Sequence, residues 1–329
     1  MVADVRTAFG PADPHVRQID PWRDGRAVAN LLEASFQDEA TNDDGVRLIH
    51  ALRHYGMLDA LTLGTSTGFV WVEDGQLIAN ASVQRNYIRR DTWIVGNVAT
   101  QPAYRNRGIG RAVVEACIHY AASRGARYIA LQANVNNSPA LHLYSKLGFQ
   151  PLGEVTHYLR PARHALPGGA PLPCIRRAKW SDRAAVWELA RHHVPDRFTF
   201  AEPFDANVYR LGLRWSLLNA LNGNIEQWLV ADASSRGRLL GAVRTRASLE
   251  GSYHHLEILP STDATAEDAI RLIESGLQRL SKYASKPIYA AHARLADIPH
   301  AALQAAGFQP TRTLVHMRLE LEDAPEVDD

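Results

Sequence analysis

Apolar residues in the first half of the chain follow strand and helix spacings in alternation. Apolar residues at every second position predict strands, and apolar residues three and four positions apart predict the buried face of a helix. Val28, Leu31 and Leu32 show the helical spacing. In order, the pattern predicts a strand at 16–19, a helix at 24–36, a hairpin with strands at 69–73 and 77–85 around an Asp74-Gly75 turn, and a strand at 93–100.

Between residues 94 and 111 the strand pattern leads through a turn into a helix. Pro102 ends the strand because proline cannot donate a hydrogen bond to a sheet. Gly108 and Gly110 let successive backbone N–H groups converge at the positive end of the helix dipole. Positive charge that does not titrate near neutral pH is added by Arg105, Arg107 and Arg111. The stretch therefore predicts a cradle for an anion.

A further strand and helix follow this cradle. The first helix is predicted to stop at Gly125, and a strand is predicted at 128–133. Ser138 is the predicted N-cap of the next helix, Pro139 its first residue and Gly148 its C-terminal stop.

Both stretches resemble motifs of one known family. Arg105-x-x-Gly108-x-Gly110 is similar to the acetyl-CoA pyrophosphate motif of the GNAT N-acetyltransferase superfamily. The second stretch is similar to the GNAT pattern Asn-x-x-Ala-x-x-x-Tyr-x-x-x-Gly-Phe, with Asn137, Ala140, Tyr144, Gly148 and Phe149 in its positions. The resemblance covers roughly residues 15–160. It implies a mixed α/β (α+β) fold, in which a mostly antiparallel sheet is flanked by helices.

The resemblance also implies roles for individual residues, with acetyl-CoA as the co-substrate. The backbone of Val98, Ala99 and Thr100 would pair with the pantetheine arm, and Asn137 would lie beside that arm. Tyr144 would protonate the departing thiolate, because a tyrosine with a pKa of about 10 is protonated at neutral pH. The pyrophosphate would be held by Arg105, Asn106, Arg107, Gly108, Ile109, Gly110 and Arg111.

Structural alternatives exist for the same residues, and the general base stays open. Tyr144 could be a half-buried helix tyrosine, and Asn137 a loop residue before the cap. The strand at 93–100 contains no Asp or Glu, and Asp91 lies just before it. Side chains that could replace a strand carboxylate are Glu39, Glu73, His142 and His157, and a water chain to a backbone carbonyl would need no side chain.

One acidic stretch has two interpretations. Glu39, Asp43 and Asp44 precede a helical pattern near 46–52. By the resemblance this region borders the acceptor pocket, where the acids would attract a cationic amine. The alternative is a solvated loop.

Past residue 160 the chain repeats itself at a nearly constant offset. Trp22-Arg23-Asp24 is echoed by Trp180-Ser181-Asp182, and Gly148-Phe149 by Gly307-Phe308. The expected organisation is a catalytic GNAT domain at 1–160, a linker rich in proline and glycine at 161–173, a second GNAT-like domain at 174–321 and an acidic tail at 322–329.

The second copy lacks the chemical residues of the first. Asp263, Ala266 and Asp268 stand where the first copy has Arg105, Gly108 and Gly110, and Leu303 and Ala296 replace Tyr144 and Asn137. Carboxylates at the start of a helix would repel a pyrophosphate. We therefore expect a degenerate domain that packs on the first and binds no cofactor.

Composition narrows the class of protein further. A net charge of +1 and a hydrophobic content of 46% are those of an ordinary soluble protein, with no general attraction to nucleic acid or membranes. Cys117 and Cys174 provide neither a disulfide framework nor a metal site. The first residues lack an apolar signal segment, so a cytoplasmic enzyme is expected. The oligomeric state is not indicated.

The expected activity is acetyl transfer from acetyl-CoA to a primary amine of a small molecule. Two alternatives stay open at this point. One is a protein that senses acyl-CoA without turnover, and the other is an acetyltransferase that acts on a peptide or protein amine.

Overall fold

The computed structural model describes residues 13–35, 66–162, 175–193, 196–201, 209, 211, 223–233 and 238–321. Several predictions lie outside these residues. They are the arm before residue 13, the acidic stretch with Glu39, Asp43 and Asp44, the helix near 46–52, residues 163–173 of the linker, Cys174, and the tail at 322–329.

The described residues form six helices and twelve strands, with short 3-10 segments at Pro102–Tyr104, Trp180–Asp182 and Asp196–Phe200. The helices are α1 (Pro21–Ser35), α2 (Ile109–Ala122), α3 (Ser138–Lys146), α4 (Arg183–His193), α5 (Ala266–Leu280) and α6 (Asp297–Ala305). The strands are β1 (Val16–Gln18), β2 (Ser66–Glu73), β3 (Gln76–Arg85), β4 (Thr92–Thr100), β5 (Tyr128–Asn134), β6 (Gln150–Arg160), β7 (Ile175–Arg177), β8 (Asn224–Asp232), β9 (Leu239–Ser248), β10 (His254–Pro260), β11 (Ile288–Ala293) and β12 (Gln309–Glu320).

The chain divides into two compact units that are discontinuous in sequence. Unit 1 consists of residues 1–152, 197–203 and 315–329, and unit 2 consists of residues 153–196 and 204–314. The predicted domain boundaries are continuous in sequence and stay a prediction.

Unit 1 contains a mixed sheet in the order β1-β2-β3-β4-β5-β12. The pairs β1–β2, β2–β3 and β3–β4 are antiparallel, whereas β4 and β5 run parallel because α2 connects them. A turn with Asp74 and Gly75 at positive φ joins β2 to β3, as the sequence predicts. The predicted fold class, a mostly antiparallel sheet flanked by helices, is confirmed.

Helices cover the two faces of this sheet differently. Buried residues of α2 and α3 pack against Trp93 and Val95 of β4 and against Ile129 and Leu131 of β5. Residues of α1 pack on Val70 and Ala99, on the other face. One face of β4 and β5 is therefore closed by α2 and α3.

Unit 2 repeats this plan in the strand order β6-β11-β10-β9-β8-β7. Strands β10 and β11 form the parallel pair. Helices α5 and α6 pack with Ile258 and Ala290, and α4 packs with Val230 and Leu259.

Two local structures recur in the units and support the internal repeat. Arg17 forms an ion pair with Asp24 in unit 1 at 2.6 Å, and Arg176 pairs with Asp182 in unit 2 at 2.7 Å. The helix ends of α3 and α6 also match. Phe149 N–H donates to Tyr144 O, and Phe308 N–H donates to Leu303 O, in both cases after a glycine at positive φ.

Candidate active site

Strands β4 and β5 begin side by side and then part. Their ladder runs from Thr92 and Tyr128 to Ile94 and Ala130, and it ends there although both strands are described to their ends. Beyond Ile94, strand β4 therefore pairs with β3 alone, through Val95, Gly96, Ala99 and Thr100. Because backbone N–H and C=O groups need partners, this edge can accept an extended ligand.

A bulge in β4 accompanies the separation. The register between β3 and β4 shifts after Asn80, and Asn97 has a φ of 53°. Asn80 Nδ2 donates to Asn97 O at 2.9 Å, Asn97 Nδ2 donates to Ser82 Oγ at 2.9 Å, and Ser82 Oγ donates to Gly96 O at 3.0 Å. Side chains of β3 thus hold the bulge in place.

The turn after β4 leaves the start of α2 open. Asn106 and Gly108 have φ values of 63° and 81°, and Gly108 is the N-cap without any side-chain cap. The first helical bond is Ala112 N–H to Gly108 O, so the N–H groups that precede it have no partner within the helix. A Cβ on Gly108 would meet nothing within 4 Å. The open N–H groups and the helix dipole suit an anion.

The predicted arginines surround this turn, and each also has a protein contact. Arg105 Nε donates to Thr100 O at 3.2 Å, and Arg111 pairs with Glu115 at 2.7 Å. Arg107 pairs with Glu73 at 3.1 Å. The Arg107 hydrogen bond holds the pKa of Glu73 below its ordinary value, which weakens Glu73 as a general base.

Tyr144 lies inside the core formed by α2, α3 and the sheet. Its side chain is 5% exposed, and its ring meets Phe149 edge-on at 5.9 Å between centroids. Burial, with a smaller contribution from nearby Cys117, raises the pKa of Tyr144 to about 12. Within the described part of the chain, its hydroxyl has no hydrogen-bond partner. Tyr144 is therefore protonated at neutral pH.

Asn137 caps α3, and this corrects the prediction that Ser138 is the cap. Asn137 Oδ1 accepts from Ala140 N at 3.2 Å, so Ser138 is the first helical residue and Pro139 the second. An asparagine side chain reaches the N–H three residues ahead as well as a serine side chain does.

The structure does not bring the other candidate bases together at the β4–β5 separation. His142 is exposed on α3, and Asp91 lies before the paired end of β4. His157 belongs to unit 2, where its ring bonds to Tyr289. Glu39 is outside the described residues.

Two features of unit 1 were not predicted from the sequence. The first is the bulge, whose only trace in the sequence is the set of polar residues Asn80, Ser82 and Asn97 inside otherwise apolar strands. The second is that residues 197–201 belong to unit 1, although the residues that precede them in sequence belong to unit 2.

The corresponding parts of unit 2 are built without an opening for an anion. The ladder between β9 and β10 has no register shift. Thr265 caps α5, because Thr265 Oγ1 accepts from Asp268 N and the Asp268 carboxylate accepts from Thr265 N. A capping box of this kind satisfies N–H groups that α2 leaves open.

Histidine rings fill the space beyond the paired part of β10 and β11. His193 Nε2 donates to Pro260 O at the end of β10, and its ring lies 5.1 Å from that of His292 on β11. His292 in turn contacts His300, at 5.4 Å between centroids. Burial is the main reason that the pKa of His292 falls to about 3, so the ring is neutral.

Unit 1 thus combines a parallel strand pair that separates, a bulge and an open helix N-terminus, an arrangement that suits an extended ligand with an anionic group. Residues 26–149 match the family model described as the acetyltransferase (GNAT) family. The matched segment contains β4, the open start of α2 and all of α3.

Curated relatives are similar to part of the chain. Ribosomal protein bS18-alanine N-acetyltransferase of Escherichia coli strain K12 is 32% identical over 81 residues, which are 25% of this chain and 53% of that protein. The chain spans about half the length of the curated relatives that it matches first.

The fold extends over both units in solved structures. A GCN5-related N-acetyltransferase from Sphaerobacter thermophilus has a TM-score of 0.63 at 16% identity, over 95% of this chain and 96% of that one. A tandem GNAT protein from the clavulanic acid biosynthesis pathway has a TM-score of 0.56 at 15% identity, over 94% of this chain and 99% of that one. At these identities the likeness shows the fold.

Two other features are absent from the described ranges. None of the helices there is long and apolar enough to cross a membrane. Among the same residues, no group of three or more His, Cys, Asp or Glu side chains could hold a metal ion.

Proposed function

We propose that unit 1 transfers an acetyl group from acetyl-CoA to a primary amine. The observation that carries the proposal is the open start of α2 beside the unpaired edge of β4, within a segment of the GNAT family. The N–H groups from Gly108 to Arg111 would hold the pyrophosphate, with Asn106, Arg105 and Arg107 around it.

The backbone of β4 would position the thioester. Val98, Ala99 and Thr100 lie beyond the last β4–β5 pair, so their backbone can bond to the amides of the pantetheine arm as a neighbouring strand would. Asn137, at the start of α3, would border that arm while its Oδ1 caps the helix. Fixing the thioester in this way would supply much of the rate.

Tyr144 would act as the general acid. The amine nitrogen attacks the thioester carbonyl, a C–N bond forms, the C–S bond breaks, and the sulfur receives a proton from the Tyr144 hydroxyl. The amine loses its own proton to water. Because burial raises the pKa of Tyr144, the hydroxyl stays protonated until sulfur develops charge, and the tyrosinate is rapidly reprotonated.

Unit 2 would bind no acyl-CoA under the same proposal. Its α5 is capped by Thr265 and Asp268, and histidine rings lie where unit 1 has its opening. Leu303 replaces the general acid.

Titration calorimetry with acetyl-CoA tests the proposal. We expect one site per chain, and we expect Gly108→Asp to weaken binding roughly 100-fold or more, since a carboxylate would face the pyrophosphate. Asp268→Gly at the corresponding helix of unit 2 is the matched control and should leave binding unchanged. Circular dichroism verifies that both variants fold. Absence of binding to the wild-type chain, or equal losses in the two variants, would contradict the proposal.

A further inference from the structure

A short segment that is remote in sequence is bonded into unit 1. This strap, Arg197–Ala201, is held mainly by Asn86 at the end of β3. Asn86 is 1% exposed, and its Nδ2 donates to Thr199 O at 3.0 Å and to Phe200 O at 3.2 Å. A buried amide that satisfies two carbonyls fixes the strap to the sheet.

The strap covers β5 where β4 and β5 part. Phe200 and Ala201 pack on Ala130, the residue that forms the last pair with β4. Gln132 Nε2, further along the unpaired part of β5, is 3.5 Å from Ala201 O. The strap therefore lies beside the point at which the two strands separate.

The side of the sheet matters for the acceptor. Ile129 and Leu131 point into the core under α2 and α3, so Ala130 faces the opposite way. Ile94, the β4 partner of Ala130, is only partly buried. Since α2 and α3 close one face, an acceptor that reaches a thioester between the strands must approach from the face that carries the strap.

Two arginines hold the strap and give this face a positive charge. The guanidinium carbon of Arg89 is 3.9 Å from the centroid of Phe200, and that of Arg318 is 4.7 Å away. Arg89 has no carboxylate partner in the described ranges, and Arg318 has only Glu320 at 3.9 Å. Strand β4 contributes no Asp or Glu.

We propose that the strap is the β5-side wall of the acceptor site, and that Arg89 and Arg318 select amines that also carry an anionic group such as a carboxylate or a phosphate. The inference rests on the proposed function, because it assigns the acceptor of the same site. The proposed function names only a primary amine as the acceptor. The inference narrows this class to amines with an anionic group, and it disfavours polyamines.

Three probes of equal chain length test this selection. They are 6-aminohexanoate, 6-aminohexanamide and 1,6-diaminohexane, whose far ends are anionic, neutral and cationic. We expect kcat/KM, measured by release of the CoA thiol, to be highest for the acid and lowest for the diamine. In Arg89→Met and Arg318→Met, kcat/KM should fall about tenfold for the acid and less than about twofold for the amide.

Matched variants separate charge from structure. Arg89→Lys keeps the charge and should retain most of the preference for the acid. Arg124→Met removes a comparable arginine, whose guanidinium carbon is 3.6 Å from the ring centroid of Tyr120. This variant should leave kcat/KM unchanged for both the acid and the amide. Equal losses for the acid and the amide would mean that Arg89 and Arg318 are only structural, and the inference would be wrong.

Other outcomes distinguish the inference from the proposed function. A wild-type preference for the amide or the diamine would overturn the inference, and so would the absence of transfer to all three probes by a chain that binds acetyl-CoA. Failure to bind acetyl-CoA would instead overturn the proposed function.

Discussion

Both units contain a pair of parallel strands and a helix that connects them. The space beyond the paired part of these strands is open in unit 1 and is occupied by side chains in unit 2. In unit 1, a bulge at Asn97 and an uncapped start of α2 leave backbone groups open. In unit 2, the Thr265 capping box closes the helix start, and the rings of His193 and His292 lie beyond the paired strands. A shared fold therefore does not decide whether a ligand can enter.

The difference depends on a small number of side chains. Each unit keeps its Arg–Asp ion pair and its glycine at the end of a helix, which maintain the fold. The substitutions are concentrated at the helix start and in the gap. Local capping and local packing, more than topology, separate the open helix start of unit 1 from the capped one of unit 2.

The largest expected effect is on the chemical step. Tyr144→Phe should lower kcat about 100-fold or more and leave acetyl-CoA affinity nearly unchanged, because only the proton donor is removed. Leu303→Met, at the corresponding position of unit 2, is the control and should leave kcat unchanged. Steady-state rates of thiol release provide kcat, and titration calorimetry provides the affinity for acetyl-CoA. An unaltered kcat in Tyr144→Phe would remove this residue from the mechanism.

Acid should distinguish the units through their buried histidines. The pKa of His292 in unit 2 is lowered to about 3, and that of His316 in unit 1 to about 4, in both cases mainly by burial. The unfolded chain binds protons at these groups below about pH 6.5, whereas the folded chain does not until much lower pH. The free energy of unfolding should therefore be highest above about pH 6.5, and it should fall as the pH is lowered from about 6.5 to 3–4.

The slope of this loss is about 1.4 kcal/mol per pH unit for each such group at most. Because His193 and His300 also have lowered pKa values, unit 2 should open first as the pH falls. Hydrogen exchange at pH 7.5 and 5.5 would locate the opening. Earlier opening of unit 1, or a flat dependence on pH, would contradict this prediction.

The smallest effects should be equal in the two units. Gly148 and Gly307 end α3 and α6 with φ values of 91° and 84°, a region that a Cβ disfavours. Gly148→Ala and Gly307→Ala should each lower the free energy of unfolding by about 1–2 kcal/mol. Urea unfolding measures both. A much larger loss at Gly148 would point to its contact with Leu319, since a new Cβ would lie 3.3 Å from Leu319 Cδ1.

The sequence predicted those features of the candidate site that depend on residues close together in the chain. The turn with Gly108 that leads from strand to helix, and the helix end at Gly148, both follow from spacing and glycine chemistry within a few residues. The cap of α3 was predicted one residue too late, at Ser138 instead of Asn137.

The remaining features depend on residues far apart in the sequence. The bulge at Asn97 requires Asn80 and Ser82 on the neighbouring strand. The strap requires Asn86 to meet Phe200, more than a hundred positions later. Hydrophobic periodicity carries no information on such pairings, because it describes one segment at a time.

Strand β12 has a consequence for how the protein is made. Met317 and Leu319 of β12, and Leu321 just after it, belong to the core of unit 1, although they are translated long after the other strands of that unit. While the chain is still being synthesised, β5 has no such neighbour and the core beneath α2 stays unfilled. Folding of the cleft should therefore wait for translation to reach residue 321, and an N-terminal fragment that stops before β12 should not retain it.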